Sequence, residues 1–227
     1  MNSAAQNLKE VRAAIAEAAH RAGRDPGSVR LVAVSKTVDL ARVRAAIDAG
    51  QDLFGENYLQ EAAGKIAALG RGVSWHLVGS LQSNKAKGAV ELFDLIHAVD
   101  RFKLARALDA AAARLGKVQD ILIQVNQGGE ATKSGVAPEA APELLQEAAR
   151  LPHLRVLGLM TMPPWFPDPE MARPYFRDLR ELRDRLRDQS GLPLMELSMG
   201  MSGDFAVAVE EGATLVRVGT AIFGHRR

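Results

Sequence analysis

A lysine standing at the end of a short apolar run is the first feature of this chain that suggests chemistry. Leu31-Val32-Ala33-Val34-Ser35 reads as a buried strand, and Lys36 follows it directly. Carrying an ammonium toward an apolar interior disfavours its charged form. The neutral amine is a nucleophile toward aldehydes, so Lys36 is a candidate for a Schiff base with a carbonyl cofactor or substrate. The plainer alternative is a strand-end lysine that reaches solvent, since lysines are seldom fully buried. Lys85, at the start of a predicted helix, and Lys133, in a Gly-rich loop, combine fewer of these features. His76 and His97 fall inside predicted strands with no cluster of further ligands, so they read as core or supporting histidines and no metal site is expected.

A second group lies near the C-terminus. Ser198-Met199-Gly200-Met201-Ser202-Gly203 precedes a predicted helix, and Gly219-Thr220 follows the last predicted strand. Glycines let the main chain approach a ligand, hydroxyls and amides donate hydrogen bonds, and a helix N-terminus favours an anion, so a phosphate would suit this pair of turns. The competing explanation is that Ser202 only caps its helix. Arg217 sits between Val216 and Val218, and period-two alternation sends it to the face opposite the valines. If the valines meet outer helices, Arg217 points inward. A guanidinium there needs a partner, either a ligand acceptor such as a pyridine nitrogen or an internal carboxylate such as Glu56.

These residues acquire a common location from the elements that carry them. A helix over 3–22 opens the chain; strands follow near 31–35, 52–57, 73–79, 94–99, 119–125, 154–161, 194–198 and 214–219. Helical segments over 38–49, 58–69, 83–92, 101–115, 138–150, 169–189 and 203–211 separate them. Eight strands alternating with helices imply parallel pairing through right-handed crossovers, and closure removes the exposed edges, so the expected fold is α/β: a single (β/α)8 TIM-type barrel over residues 1–227, with an extra N-terminal helix. An open doubly wound sheet is disfavoured by the strand count and by the lack of a Gly-x-Gly-x-x-Gly after the first strand. Because little chain follows the last strand, the N-terminal helix is expected to help fill the place of a final one. Barrels of this kind gather their chemistry at the carboxyl ends of the strands. Here those ends are Lys36, Asn57, Gly79-Ser80, Asp100, Asn126, Met160-Thr161, Ser198 and Gly219-Thr220.

Composition narrows the function classes. Lys plus Arg (29) nearly balances Asp plus Glu (27), and a net charge of +2 gives little attraction for nucleic acid. There is no cysteine, which removes disulfides, thiolate catalysis and cysteine-ligated metals. No apolar run long enough for a membrane span occurs, and polar residues near the start argue against a signal peptide, so a cytoplasmic protein is expected.

Several ordered motifs together resemble a known family: Ala33-Val34-Ser35-Lys36-Thr37, Phe54-Gly55-Glu56-Asn57-Tyr58, Trp75-His76-Leu77-Val78-Gly79, Gly158-Leu159-Met160-Thr161-Met162, Leu197 to Asp204, and Val216 to Gly224. They look like the pyridoxal phosphate homeostasis proteins, whose fold is similar to the N-terminal barrel of alanine racemase. The resemblance implies pyridoxal 5′-phosphate (PLP) as cofactor, Lys36 as its Schiff-base lysine, Asn57 and Met160 beside the ring, and Arg217 at the pyridine nitrogen. It further implies a phosphate site from Ser198, Gly200, Ser202, Gly219 and Thr220.

On that basis the chain is expected to be a non-catalytic, monomeric carrier or buffer of PLP, with PLP-dependent apoenzymes as partners. An amino-acid racemase is the alternative, but racemase chemistry of this architecture resembles a two-base scheme with a tyrosine from a second domain. Tyr58 and Tyr175 are the two tyrosines here, and neither is placed as an obvious second base. A phosphosugar aldolase-like barrel using the same lysine is a third reading.

Overall fold

The computed structural model describes residues 3–129 and 134–224, so Lys133 lies outside the described residues. Helix α1 (Ala4–Arg21) is amphipathic: Leu8, Val11, Ile15, Ala18 and Ala19 recur at helical spacing and are buried, while Ser3 caps its first turn through Gln6 N–H. Then strands and helices alternate. They are β1 (Arg30–Val34), α2 (Leu40–Asp48), β2 (Leu53–Glu56), α3 (Leu59–Leu69), β3 (Ser74–Leu77), α4 (Ala86–Leu92), β4 (Leu95–Val99), α5 (Phe102–Arg114), β5 (Gln119–Val125) and α6 (Ala141–Ala149), followed by β6 (Leu154–Thr161), α7 (Arg173–Ser190), β7 (Glu196–Ser198), α8 (Phe205–Glu210), β8 (Leu215–Val218) and α9 (Thr220–Phe223).

The eight strands close into a parallel barrel in sequence order. Closure is made by β8 against β1, with Arg30 opposite Leu215 and Ala33 opposite Val218. Two cores result. The larger, between sheet and helices, contains Phe54, Trp75, Leu77, Ile96, Val216 and Val218. A smaller one fills the barrel itself, with Val32, Leu53, Val78, Leu95, Leu122, Met160 and Leu215. Alternation along each strand divides side chains between them.

Helix α1 packs against α2, α8 and α9, so it does occupy the gap beside the last strand. The short α9 was not expected from sequence: one turn carries no readable period. Its last carbonyls are taken by the side chains of two other helices, Asn7 Nδ2 to Ile222 O at 2.8 Å and Arg42 Nη1 to Phe223 O at 3.0 Å. Consequently β8 stops at Val218, and Gly219 belongs to the turn into α9.

Candidate functional site

At the carboxyl end of β1 the chain leaves the sheet after Val34; Ser35 is fully buried, Lys36 half-buried and Thr37 exposed. Lys36 lines a cleft of about 1000 Å³ together with Val34, Thr37, Gly219 and Thr220. The first and last strands are neighbours, so barrel closure brings the lysine and the C-terminal turn together. Gly219 makes the approach close: a Cβ there would stand 3.2 Å from Val34 O. Asn57 is half-buried immediately after β2, and its backbone is packed so tightly by Gly79 that a Cβ on Gly79 would lie 2.7 Å from Asn57 O. This contact explains why a glycine stands at 79, just beyond the end of β3.

The C-terminal turns are tied through Ser202. Its hydroxyl accepts from Gly219 N–H at 3.2 Å and Ala221 N–H at 3.3 Å, joining the β7 loop to the start of α9. Ser202 therefore does not cap the helix that follows it; α8 begins only at Phe205. Gly200 has φ +89, and a Cβ would come 2.6 Å from that of Ala208, so only glycine suits this bend. Asp204 accepts from Met201 N–H at 2.6 Å, and burial raises its carboxyl above the ordinary range.

Ser198 and Arg217 lie elsewhere than the cleft lining. The valines beside Arg217 do pack outward, and the guanidinium, 4% exposed, enters the barrel. It donates to Ser198 Oγ at 2.5 Å and to Thr161 O at 2.8 Å. Its partner is not Glu56, whose carboxylate faces the helix layer and pairs with Lys65 at 2.7 Å. The hydroxyl of Ser198, fully buried between Arg217 and His97, is thus separated from the Ser202, Gly219 and Thr220 group with which it was expected. Met160 is likewise enclosed in the inner core rather than exposed on the cleft.

The polar chain continues: His97 Nδ1 is 2.8 Å from Ser198 Oγ, and His97 Nε2 is 3.0 Å from His76 Nδ1. A guanidinium can only donate, so the proton of Ser198 is free to go to His97 Nδ1, which leaves His97 Nε2–H donating to His76. Burial depresses His76 to about 3, and burial with the neighbouring His76 and Arg217 holds His97 well below its ordinary value. Both are neutral at pH 7. Burial also lowers Arg217 to about 10, which leaves it a cation. The two histidines are buried in the core, as their strand positions suggested, but their linkage to Ser198 and Arg217 was not readable. It joins β3, β4, β7 and β8, and period-two alternation gives only the inward face, not which inward residues meet.

The chain matches the family described as "Alanine racemase, N-terminal domain" over residues 6–227. It is 48% identical to a pyridoxal phosphate homeostasis protein of Pseudomonas aeruginosa, covering all of this chain and 97% of that one. To another of the same name from Aquifex aeolicus it is 46% identical, with 99% of each covered. The chain belongs to the pyridoxal phosphate homeostasis protein family. Among solved structures, this family member is similar to PipY of Synechococcus elongatus with PLP bound, at 40% identity and a TM-score of 0.87, covering 98% of this chain and all of that one. A protein of Bifidobacterium adolescentis gives a TM-score of 0.92 at 38% identity, over 97% and 94% of the two chains. Likeness to alanine racemase of Clostridium difficile in complex with cycloserine, at 15% identity and a TM-score of 0.71 over 88% of this chain and 56% of that one, extends to the fold. Among the described residues no helix is long and apolar enough to cross a membrane.

Proposed function

We propose that this chain binds PLP reversibly, through a Schiff base with Lys36, and serves as a carrier or buffer of it inside the cell. The observation that supports this most directly is the shared cleft: an amine from the end of β1 and the glycine–threonine turn after β8 line the same space. The residues present suit such a ligand. Gly219 lets the last turn pass close to the end of β1, Gly200 allows the bend of the β7 loop, and the hydroxyls of Ser202 and Thr220 stand with main-chain amides near a turn suited to phosphate oxygens. Asn57 would lie beside the ring. Met160 would support it from the barrel interior and Arg217 would face the pyridine nitrogen, while Ser198 would act through Arg217. Bound, PLP supplies an electrophilic aldehyde and, in enzymes, an electron sink.

Two features favour carriage over racemisation. Arg217 is a permanent donor, so a pyridine nitrogen facing it would remain unprotonated and the ring a weaker sink. Of the two tyrosines, Tyr58 is exposed at the start of α3, and the ring of Tyr175 packs against Phe166 with centroids 5.7 Å apart. Handing PLP to apoenzymes, a monomeric state and a cytoplasmic location belong to the same proposal. Borohydride reduction of the protein after mixing with PLP, followed by peptide mapping, is expected to find a pyridoxyl group on Lys36 and none there in Lys36→Ala. An adduct elsewhere would refute the assignment. Sustained deuterium exchange at the α-carbon of any amino acid would defeat the carrier reading.

A further inference from the structure

Behind the sheet, a buried ion cluster converges on the two residues that flank Lys36. Gly55 faces the barrel interior, where a Cβ would meet Val32 and Val78, so the next residue, Glu56, faces α3. Lys65, on the buried face of α3 with Ala62 and Ile66, meets it there. The ammonium of Lys65 uses its three donors on Ser35 O, Glu56 Oε1 at 2.7 Å and Glu61 Oε1 at 2.7 Å. Ser35 is held a second time, because its hydroxyl donates to Glu56 Oε1 at 2.6 Å. On the other side of Lys36, Thr37 N–H donates to Glu61 Oε1. Thr37 has φ 60, the left-handed region that a β-branched residue rarely enters and that the surroundings must enforce.

A pair whose task was to fasten α3 to β2 would need only Lys65 and Glu56. The additional bonds go to the main chain at 35 and 37, one residue either side of the cleft lysine. We propose that Lys65 and Glu61 are positioning residues for Lys36: they set the main chain on both sides of it and hence the direction in which its amine enters the cleft. The inference rests on the reading of Lys36 as the aldehyde-capturing residue. In that role the amine must present its lone pair to a carbonyl carbon, and a loosened 35–37 segment spreads it over unproductive directions. Glu61 is the more informative residue to change, since it is partly exposed and Lys65 retains Glu56 in its absence.

The test uses the full chain and compares wild type with Glu61→Ala and Glu61→Gln. Capture of PLP is followed by its absorbance change and by borohydride mapping of Lys36. Binding of pyridoxamine 5′-phosphate, which has the ring and phosphate but an amine in place of the aldehyde, is measured in parallel. In Glu61→Ala, capture should slow by about tenfold, because a main-chain acceptor and a charge-assisted partner of Lys65 are lost together. Pyridoxamine phosphate binding should stay within about twofold, and Glu61→Gln, whose side-chain oxygen can still accept from Thr37 N–H, should recover most of the rate. An unchanged capture rate in Glu61→Ala, or equal weakening toward both ligands, would overturn the inference while leaving the function of Lys36 intact. A wild-type chain with no adduct on Lys36 would overturn the reading beneath it as well.

Discussion

Replacing Ser198 with alanine removes a single oxygen from the sealed interior of the barrel, and the structure indicates what that costs. The hydroxyl is the 2.5 Å acceptor for Arg217 and the 2.8 Å partner of His97 Nδ1, with no exposure to water at Ser198 or His97. Its loss strands one donor of a charged guanidinium and one imidazole nitrogen, each at about 1–3 kcal/mol when buried and unpaired. Because Arg217 keeps Thr161 O and can relax slightly, the expected destabilisation is about 3 kcal/mol, in the lower half of that summed range. For a chain of this size, that is a fall in melting temperature of about 6–12 °C, measurable by circular dichroism. A fall under about 2 °C would show that the polar chain is not coupled as drawn. The same contact supplies a second check. In a His97→Leu background, where one of the two stranded atoms no longer exists, Ser198→Ala should cost at least about 1 kcal/mol less than in wild type, and strict additivity would refute the linkage.

Acid should act through the same histidines. Their folded-state values are depressed, His76 to about 3, so between about pH 6.5 and 3 the unfolded chain binds more protons and stability falls as pH falls. Glu56 and Asp204, raised by burial, work in the opposite sense as pH rises through their folded values, so the histidine contribution is best read as a difference: His97→Leu should lose less stability than wild type between pH 6.5 and 4.5 in urea titrations. Equal slopes would exclude it. Gly200→Ala places a methyl 2.6 Å from Ala208 Cβ at φ +89, so it should destabilise by roughly 2–4 kcal/mol and weaken retention of PLP, checked by thermal melts and equilibrium dialysis. Wild-type behaviour in both would show that the bend tolerates a side chain.

Much of this protein could be read from its residues in order. Alternating apolar segments determined an eight-stranded parallel barrel, because each strand and helix carries its own period and the connections obey one hand. The strand ends named the candidate chemistry, with Lys36, Asn57 and Gly219-Thr220 arriving at the carboxyl face by topology alone. Even the inward direction of Arg217 followed from the valines on either side of it.

Which polar groups meet was a matter for the tertiary structure. Ser198 and Ser202 lie four residues apart in one motif, yet one hydroxyl serves Arg217 inside the barrel and the other gathers amides at the start of α9. Glu61 and Lys65 have the helical i, i+4 spacing of an exposed ion pair, and Lys65 shares a face with the apolar Ala62 and Ile66, but nothing local reveals that β2 brings Glu56 to the same place. Periodicity is a property of neighbours along the chain and settles which face a side chain takes. Partnership depends on strand register, on the tilt of the closed barrel and on where each helix returns, and these arise only when all eight strands are in place.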